Sequence, residues 1–144
     1  MHGKWTQNGK LAANASVFFM KKSADELQGK LSAATSLLHF TLKANNGATL
    51  ADDVFYFAYP KDQKLPEANI ETSVRRRGDA IEMTLKTDKL ARDIFVEVPV
   101  QGVRFTDNFF DLLPGQRKKI TITSPEGHSL NDFTFSLHQL GGVR

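Results

Sequence analysis

Residues 70–100, IETSVRRRGDAIEMTLKTDKLARDIFVEVPV, alternate apolar and polar side chains with a period of two. Ile70, Thr72 and Val74 share one phase, followed by Ile81, Met83 and Leu85, and then by Ile94, Val96, Val98 and Val100. A period of two places successive side chains on opposite faces of an extended chain, whereas a helix would repeat every 3.6 residues. Arg77-Gly78-Asp79 supplies the turn between the first two runs. The stretch therefore predicts three strands, each with an apolar and a polar face.

The same signature extends both ways. In SLLHFTLKA, residues 36–44, Leu38, Phe40 and Leu42 oppose His39, Thr41 and Lys43, and Asn45-Asn46-Gly47 provides a tight exit. Phe55, Phe57 and Tyr59 line one face of the next strand, which is expected to end near Tyr59 because Pro60 and Pro66 cannot continue a ladder. Downstream, Ile120 and Ile122 alternate with Lys119, Thr121 and Thr123, and Phe133, Phe135 and Leu137 alternate with Thr134, Ser136 and His138. Short strands at this spacing predict an all-β, immunoglobulin-like β-sandwich. The exception is SADELQGKL, residues 23–31, where Ser23 and Glu26 stand in capping-box register and Gly29 is placed to end a brief helix. Lys64-Leu65-Pro66-Glu67-Ala68 marks the expected seam, giving residues 1–65 as later strands of a preceding domain, or the first strands of a single sandwich, and 66–144 as a C-terminal domain.

Composition narrows the function. The 144 residues hold 19 Lys+Arg against 16 Asp+Glu, and a net charge of +3 spread over this length is no footprint of a nucleic-acid partner. The longest apolar run falls far short of the roughly 20 residues a membrane helix needs, so no membrane partner is expected. Cysteine is absent, which excludes disulfides, thiolate metal sites and cysteine nucleophiles. MHGKWTQNGK lacks a signal-type apolar core, so the chain is expected either to stay inside or to be a piece of something longer.

No reactive constellation emerges. Glu71, Glu82 and Glu97 occupy polar phases of their strands, where solvation explains them, and paired-carboxylate hydrolysis would need two such groups across a cleft. His2, His39, His128 and His138 are scattered without a metal-binding motif. Neither a GxSxG elbow nor a glycine-rich phosphate loop occurs. No catalytic residue, metal or cofactor is therefore assigned. Arg75-Arg76-Arg77 protects a strand end, and Trp5, Tyr56, Tyr59 and Phe105 are the aromatics open to a sugar-stacking role.

ARDIFVEVPVQGVRFTDNFFDLLP, residues 91–114, resembles the C-terminal immunoglobulin-like domain of β-mannosidases in glycoside hydrolase family 2. Three pieces carry the resemblance: the aliphatic strand DIFVEVPV, the run from Phe105 to Gly115, and the strand KKITIT. KDQKLPEANI, residues 61–70, is similar to the junction before that domain, and HGKWTQNGKLAANASVFF and ATLADDVFYFAYP resemble later strands of the domain preceding it. The resemblance implies a non-catalytic fragment, because the family's catalytic glutamates reside in a (β/α)8 barrel that this length cannot contain. It also implies other domains of a parent glycosidase as partners, with a periplasmic, secreted or lysosomal parent.

In the central run, Asp107-Asn108 is expected to close an Asx-type turn, Pro114-Gly115 to form a type II turn, and one of Phe109 and Phe110 to plug the sandwich while the other faces outward. Phe105, Asp107, Asn108 and Phe109 are the residues that would touch a neighbouring domain or a mannoside. Two functions follow: an accessory sandwich packed on a catalytic barrel, or an independent carbohydrate-binding or adhesion module.

Overall fold

The computed structural model describes residues 3–18, 20–124, 130 and 133–141. The chain divides into two units, Met1–Gln63 and Lys64–Arg144.

In the first unit a short helix, α1 (Ala24–Gln28), forms where the capping signal lies. The Ser23 hydroxyl accepts from the Glu26 amide at 3.1 Å, and the Glu26 carboxylate accepts from the Ser23 amide at 2.8 Å. That reciprocal pair satisfies two amides the helix itself leaves open. β1 (Leu37–Lys43) and β2 (Thr49–Tyr56) pair as an antiparallel hairpin. Its turn places Gly47 at φ 83°, a conformation nearly free of penalty only for glycine. β2 stops at Tyr56, three residues before the expected end, and the chain passes into a single 3-10 turn at Pro60–Asp62. Leu38, Phe40 and Leu42 do share a face, but Phe40 and Leu42 are about half exposed, so alternation here does not translate into burial within the unit.

The second unit is an immunoglobulin-like sandwich of two antiparallel sheets. β3 (Ile70–Arg77), β4 (Ala80–Thr87), β6 (Arg104–Phe105) and β8 (Arg117–Thr123) form one, in the order β3-β4-β8-β6. β5 (Ala91–Glu97), β7 (Phe110–Leu112) and β9 (Ser136–His138) form the other, in the order β7-β5-β9. β3 and β4 meet through a two-residue loop, with Gly78 at φ 59° as hairpin twist requires. The core lies between the sheets: Ile81, Met83, Leu85, Ile120 and Ile122 from the first meet Ile94, Val96, Phe110 and Leu112 from the second. Each inward methyl-rich side chain removed from water contributes roughly 1.5–3 kcal/mol of transfer free energy, which makes this layer the chief source of the unit's stability.

Two expectations are corrected within the second sheet. Val98 and Val100 lie outside β5, whose pairing ends at Glu97, yet both still pack against the core as half-buried side chains. Phe133 and Phe135 likewise pack against the core from outside a strand, because β9 begins only at Ser136. β5 also carries a bulge: Ala91 pairs with Leu112 and Ile94 with Phe110, so Arg92 and Asp93 together face Asp111. Asp93 takes φ 48°, and its amide donates to the Asp111 carboxylate at 2.9 Å. The extra residue lets Ala91 and Ile94 both point inward although they are three apart.

Candidate functional site

The end of β6 and the loop that follows it to β7 carry the four residues singled out from sequence, and the structure gives them different roles. Phe105 is half buried in β6 and packs against the core. The Asp107 carboxylate pairs with the Lys118 ammonium at 2.5 Å, and that ammonium also lies 5.2 Å from the centre of the Phe110 ring. Asn108 turns inward. Its Oδ1 accepts from the Val96 amide at 2.9 Å while its Nδ2 donates to the Val96 carbonyl at 3.0 Å.

This arrangement replaces the expected Asx turn and has a simple physical cause. Ile94 pairs with Phe110, so continued pairing would set residue 108 opposite Val96. The main chain cannot follow, because Phe109 takes φ 58° and diverts it. The Asn108 side-chain amide has the donor and acceptor of a peptide group and stands in for one, satisfying both polar groups of a residue with no exposed surface. Asn108 Oδ1 also accepts from the Phe109 amide at 3.2 Å, which fastens the kink. At the next turn Gln116 donates to the Leu113 carbonyl at 3.0 Å with Gly115 at φ 78°, the geometry of a type II turn.

Phe109 and Phe110 separate by burial: Phe110 is 8% exposed and Phe109 68%. The separation comes from the kink and not from an extended chain. Phe109 lays its ring on that of Phe95, with centroids 4.6 Å apart and planes 17° apart. Phe95 in turn stacks with His138 at 5.9 Å, and His138 Nε2 lies 3.1 Å from the Glu97 carboxylate. An aromatic ladder thus crosses the outer face of the three-stranded sheet. Beyond His138 lies a cleft of about 440 Å³, whose wall includes Asn69, Asp88, Lys89 and Gln139.

Sequence reasoning did not single out Phe95, His138 or the cleft. The signal for Phe95 was its phase: with Ile94 and Val96 inward, the intervening ring must face out. The ladder itself was hidden, because Phe95 meets His138 across strands separated by some forty positions and meets Phe109 only through the kink. Among the other proposed stacking aromatics, Trp5 and Tyr59 are exposed, and Tyr56 is half buried in β2. His39 pairs with Asp52 on the hairpin, and His2 and His128 lie outside the described residues.

The opposite outer face, on the four-stranded sheet, is basic by register. Arg75, Arg77, Lys86, Arg104, Arg117 and Lys119 share it with Glu71 and Glu82. Glu82 lies between Lys119 at 2.7 Å and Arg77 at 3.1 Å, and these two, Lys119 foremost, hold its carboxyl below the ordinary value of 4.5. A carboxyl with a lowered folded pKa contributes stability above its unfolded value, and that contribution is lost as pH falls through the folded value. Glu82→Gln should therefore lower the unfolding midpoint at neutral pH and flatten its decline below about pH 4.5. Parallel pH curves for the two proteins would show that the pairs contribute nothing.

Both the sandwich and the loop define an immunoglobulin-like module. Residues 65–139 match the Ig-fold domain family of mannosidases, and the chain belongs to that family. No curated protein sequence matches it.

Proposed function

We propose that this chain is a non-catalytic immunoglobulin-like region of a β-mannosidase-like glycoside hydrolase of family 2. Its parent would release terminal β-linked mannose, and the sandwich would pack against the parent's catalytic barrel. The observation that carries this reading is the family match across residues 65–139.

The chemistry of the carboxylates is in keeping with it. A glycosidase acid must hold its proton near neutrality, which calls for a raised pKa, while its partner carboxylate waits roughly 5–10 Å away. Glu82 is shifted in the opposite direction by two cations. Glu71 pairs with Lys86 at 3.5 Å and Glu97 with His138 at 3.1 Å, on different sheets.

The test is to read the coding sequence on either side and to express the joined polypeptide. A barrel with two facing glutamates is expected, together with loss of its thermal stability when residues 64–144 are removed. Hydrolysis of an aryl β-mannoside by this chain alone, abolished by changing Glu82 and Glu97 together, would overturn the reading.

A further inference from the structure

The turn that closes the β1–β2 hairpin holds a chemistry that the fold itself does not use. It runs through Ala44-Asn45-Asn46-Gly47-Ala48, and the residues from Asn45 to Ala48 are exposed. A side-chain amide followed by glycine is open to attack by its own backbone, because the nitrogen after it has no neighbouring Cβ to obstruct the approach. Nothing stands within 4 Å of the place a Gly47 Cβ would occupy.

The hydrogen bonds of the turn aim the two groups at each other. The Ala48 amide donates to Asn46 Oδ1 at 3.0 Å, which folds the carboxamide forward over the Gly47 peptide. The same bond puts a donor on the oxygen where negative charge develops when Cγ is attacked. One contact opposes the reaction, since the Gly47 amide donates to the Ala44 carbonyl at 2.9 Å and must be released before it can lose its proton. Release is cheap here. The sheet has only two strands, and Phe40 and Leu42 on it are about half exposed, so little packing resists local opening.

We propose that Asn46 is a site of spontaneous covalent modification, converting through a cyclic imide to aspartate and isoaspartate, and that the isoaspartyl form unlocks the hairpin turn. Hydroxide takes the proton of the Gly47 amide, and the nitrogen forms a bond to Asn46 Cγ. The electron pair displaced onto Oδ1 returns as the Cγ–Nδ2 bond breaks. Nδ2 takes a proton from water and leaves as ammonia, which regenerates hydroxide. Water then opens the imide at either carbonyl. Breaking the new Cγ–N bond leaves aspartate, whereas breaking the original peptide bond leaves isoaspartate, with the main chain routed through the side chain. Nothing is oxidised or reduced: an amide and water give a carboxylic acid and ammonia. Isoaspartate adds an atom to the main chain within a turn that closes by Gly47 to Ala44 at 2.9 Å and Ala44 to Ala48 at 2.8 Å, so the pair of bonds is not retained. The site goes beyond the accessory role and stands whether or not a barrel adjoins the sandwich.

The experiment incubates the whole chain in warm, mildly alkaline buffer and follows it by peptide mass mapping. Asn8-Gly9 is the same dipeptide in a segment without helix or strand and serves as the reference. Asn45, also exposed but followed by Asn46, is the control. Asn46 is expected to yield both acids, at least roughly tenfold faster than Asn45. Asn46→Gln, which would need a larger ring, should show no conversion at this position on the same timescale. In the separated isoaspartyl form, the Ala44 and Gly47 amides should lose roughly tenfold in exchange protection while those of the β4–β8 ladder keep theirs. Asn46 left intact after Asn8 has converted would overturn the proposal, because the bonds of the turn would then shield the site. So would aspartate without isoaspartate, which means direct hydrolysis, or equal rates at Asn45 and Asn46. Unchanged protection of the isoaspartyl hairpin would overturn the unlocking.

Discussion

Phe110→Ala is expected to destabilise the Lys64–Arg144 unit by about 3–5 kcal/mol, the range for removing a buried phenylalanine from a packed core. Phe110 is the register partner of Ile94, so truncation leaves a void in the core and also removes the ring from beside the Lys118 ammonium. Phe109→Ala should lose no more than the stacking with Phe95, about 0.5–1.5 kcal/mol. Phe109→Gly should be at least as stable as the alanine variant, because glycine accepts φ 58° without penalty. Denaturant midpoints at constant m-value separate the three. Equal losses for Phe109→Ala and Phe110→Ala would mean that the loop repacks and that the kink does not set their difference.

Asn108→Ala should rank next, at about 2–5 kcal/mol. Each buried peptide group left without a partner costs roughly 1–3 kcal/mol, and this substitution strands both the Val96 amide and the Val96 carbonyl. The discriminating measurement is hydrogen exchange at the Val96 amide. It should lose protection in the variant while amides of the β4–β8 ladder keep theirs, since those bonds do not pass through Asn108. Unchanged protection at Val96 would show that water or a shifted backbone replaces the side chain.

β4 and β8 were legible because one face of each is buried and the other is not, the condition under which a period of two records the fold, whereas β3 alternates without burying either face. β4 shows it most clearly: Ile81, Met83, Leu85 and Thr87 are all buried and the residues between them are not. β6 and β7, at two and three residues, are too short for any period to register. The β5 bulge broke the phase at Arg92 and Asp93, so Ala91 could not be recognised as core from its spacing. In β1 the alternation was present but the burial was not, since a two-stranded hairpin has no second layer of its own to cover Phe40 and Leu42.

Of the four loop residues, sequence chemistry marked the right segment and not the division of labour. Asn108 was read as a local turn former because its cross-strand partner, Val96, is visible only once register is known. Phe109 owes its exposure to a backbone angle that no periodicity encodes. The resemblance to the mannosidase domain located the same run, and residues 91–114, which carry it, lie within the residues that match the family.

The pairing of β5 with β9 bears on how the chain is made. β3 and β4 close a hairpin as soon as both exist, but β8 joins β4 from some thirty to forty positions away, and β9 reaches β5 from about forty. Such distant pairings must overcome loop closure before they return any stabilisation, which places the sandwich among slower folders. A ribosome that has released residues only as far as β8 therefore holds β5 with one edge of its backbone bare, an invitation to pair with a neighbouring nascent chain. The last three-residue strand is the one that shuts that edge, so the safety of the domain during synthesis depends on residues that arrive at its very end.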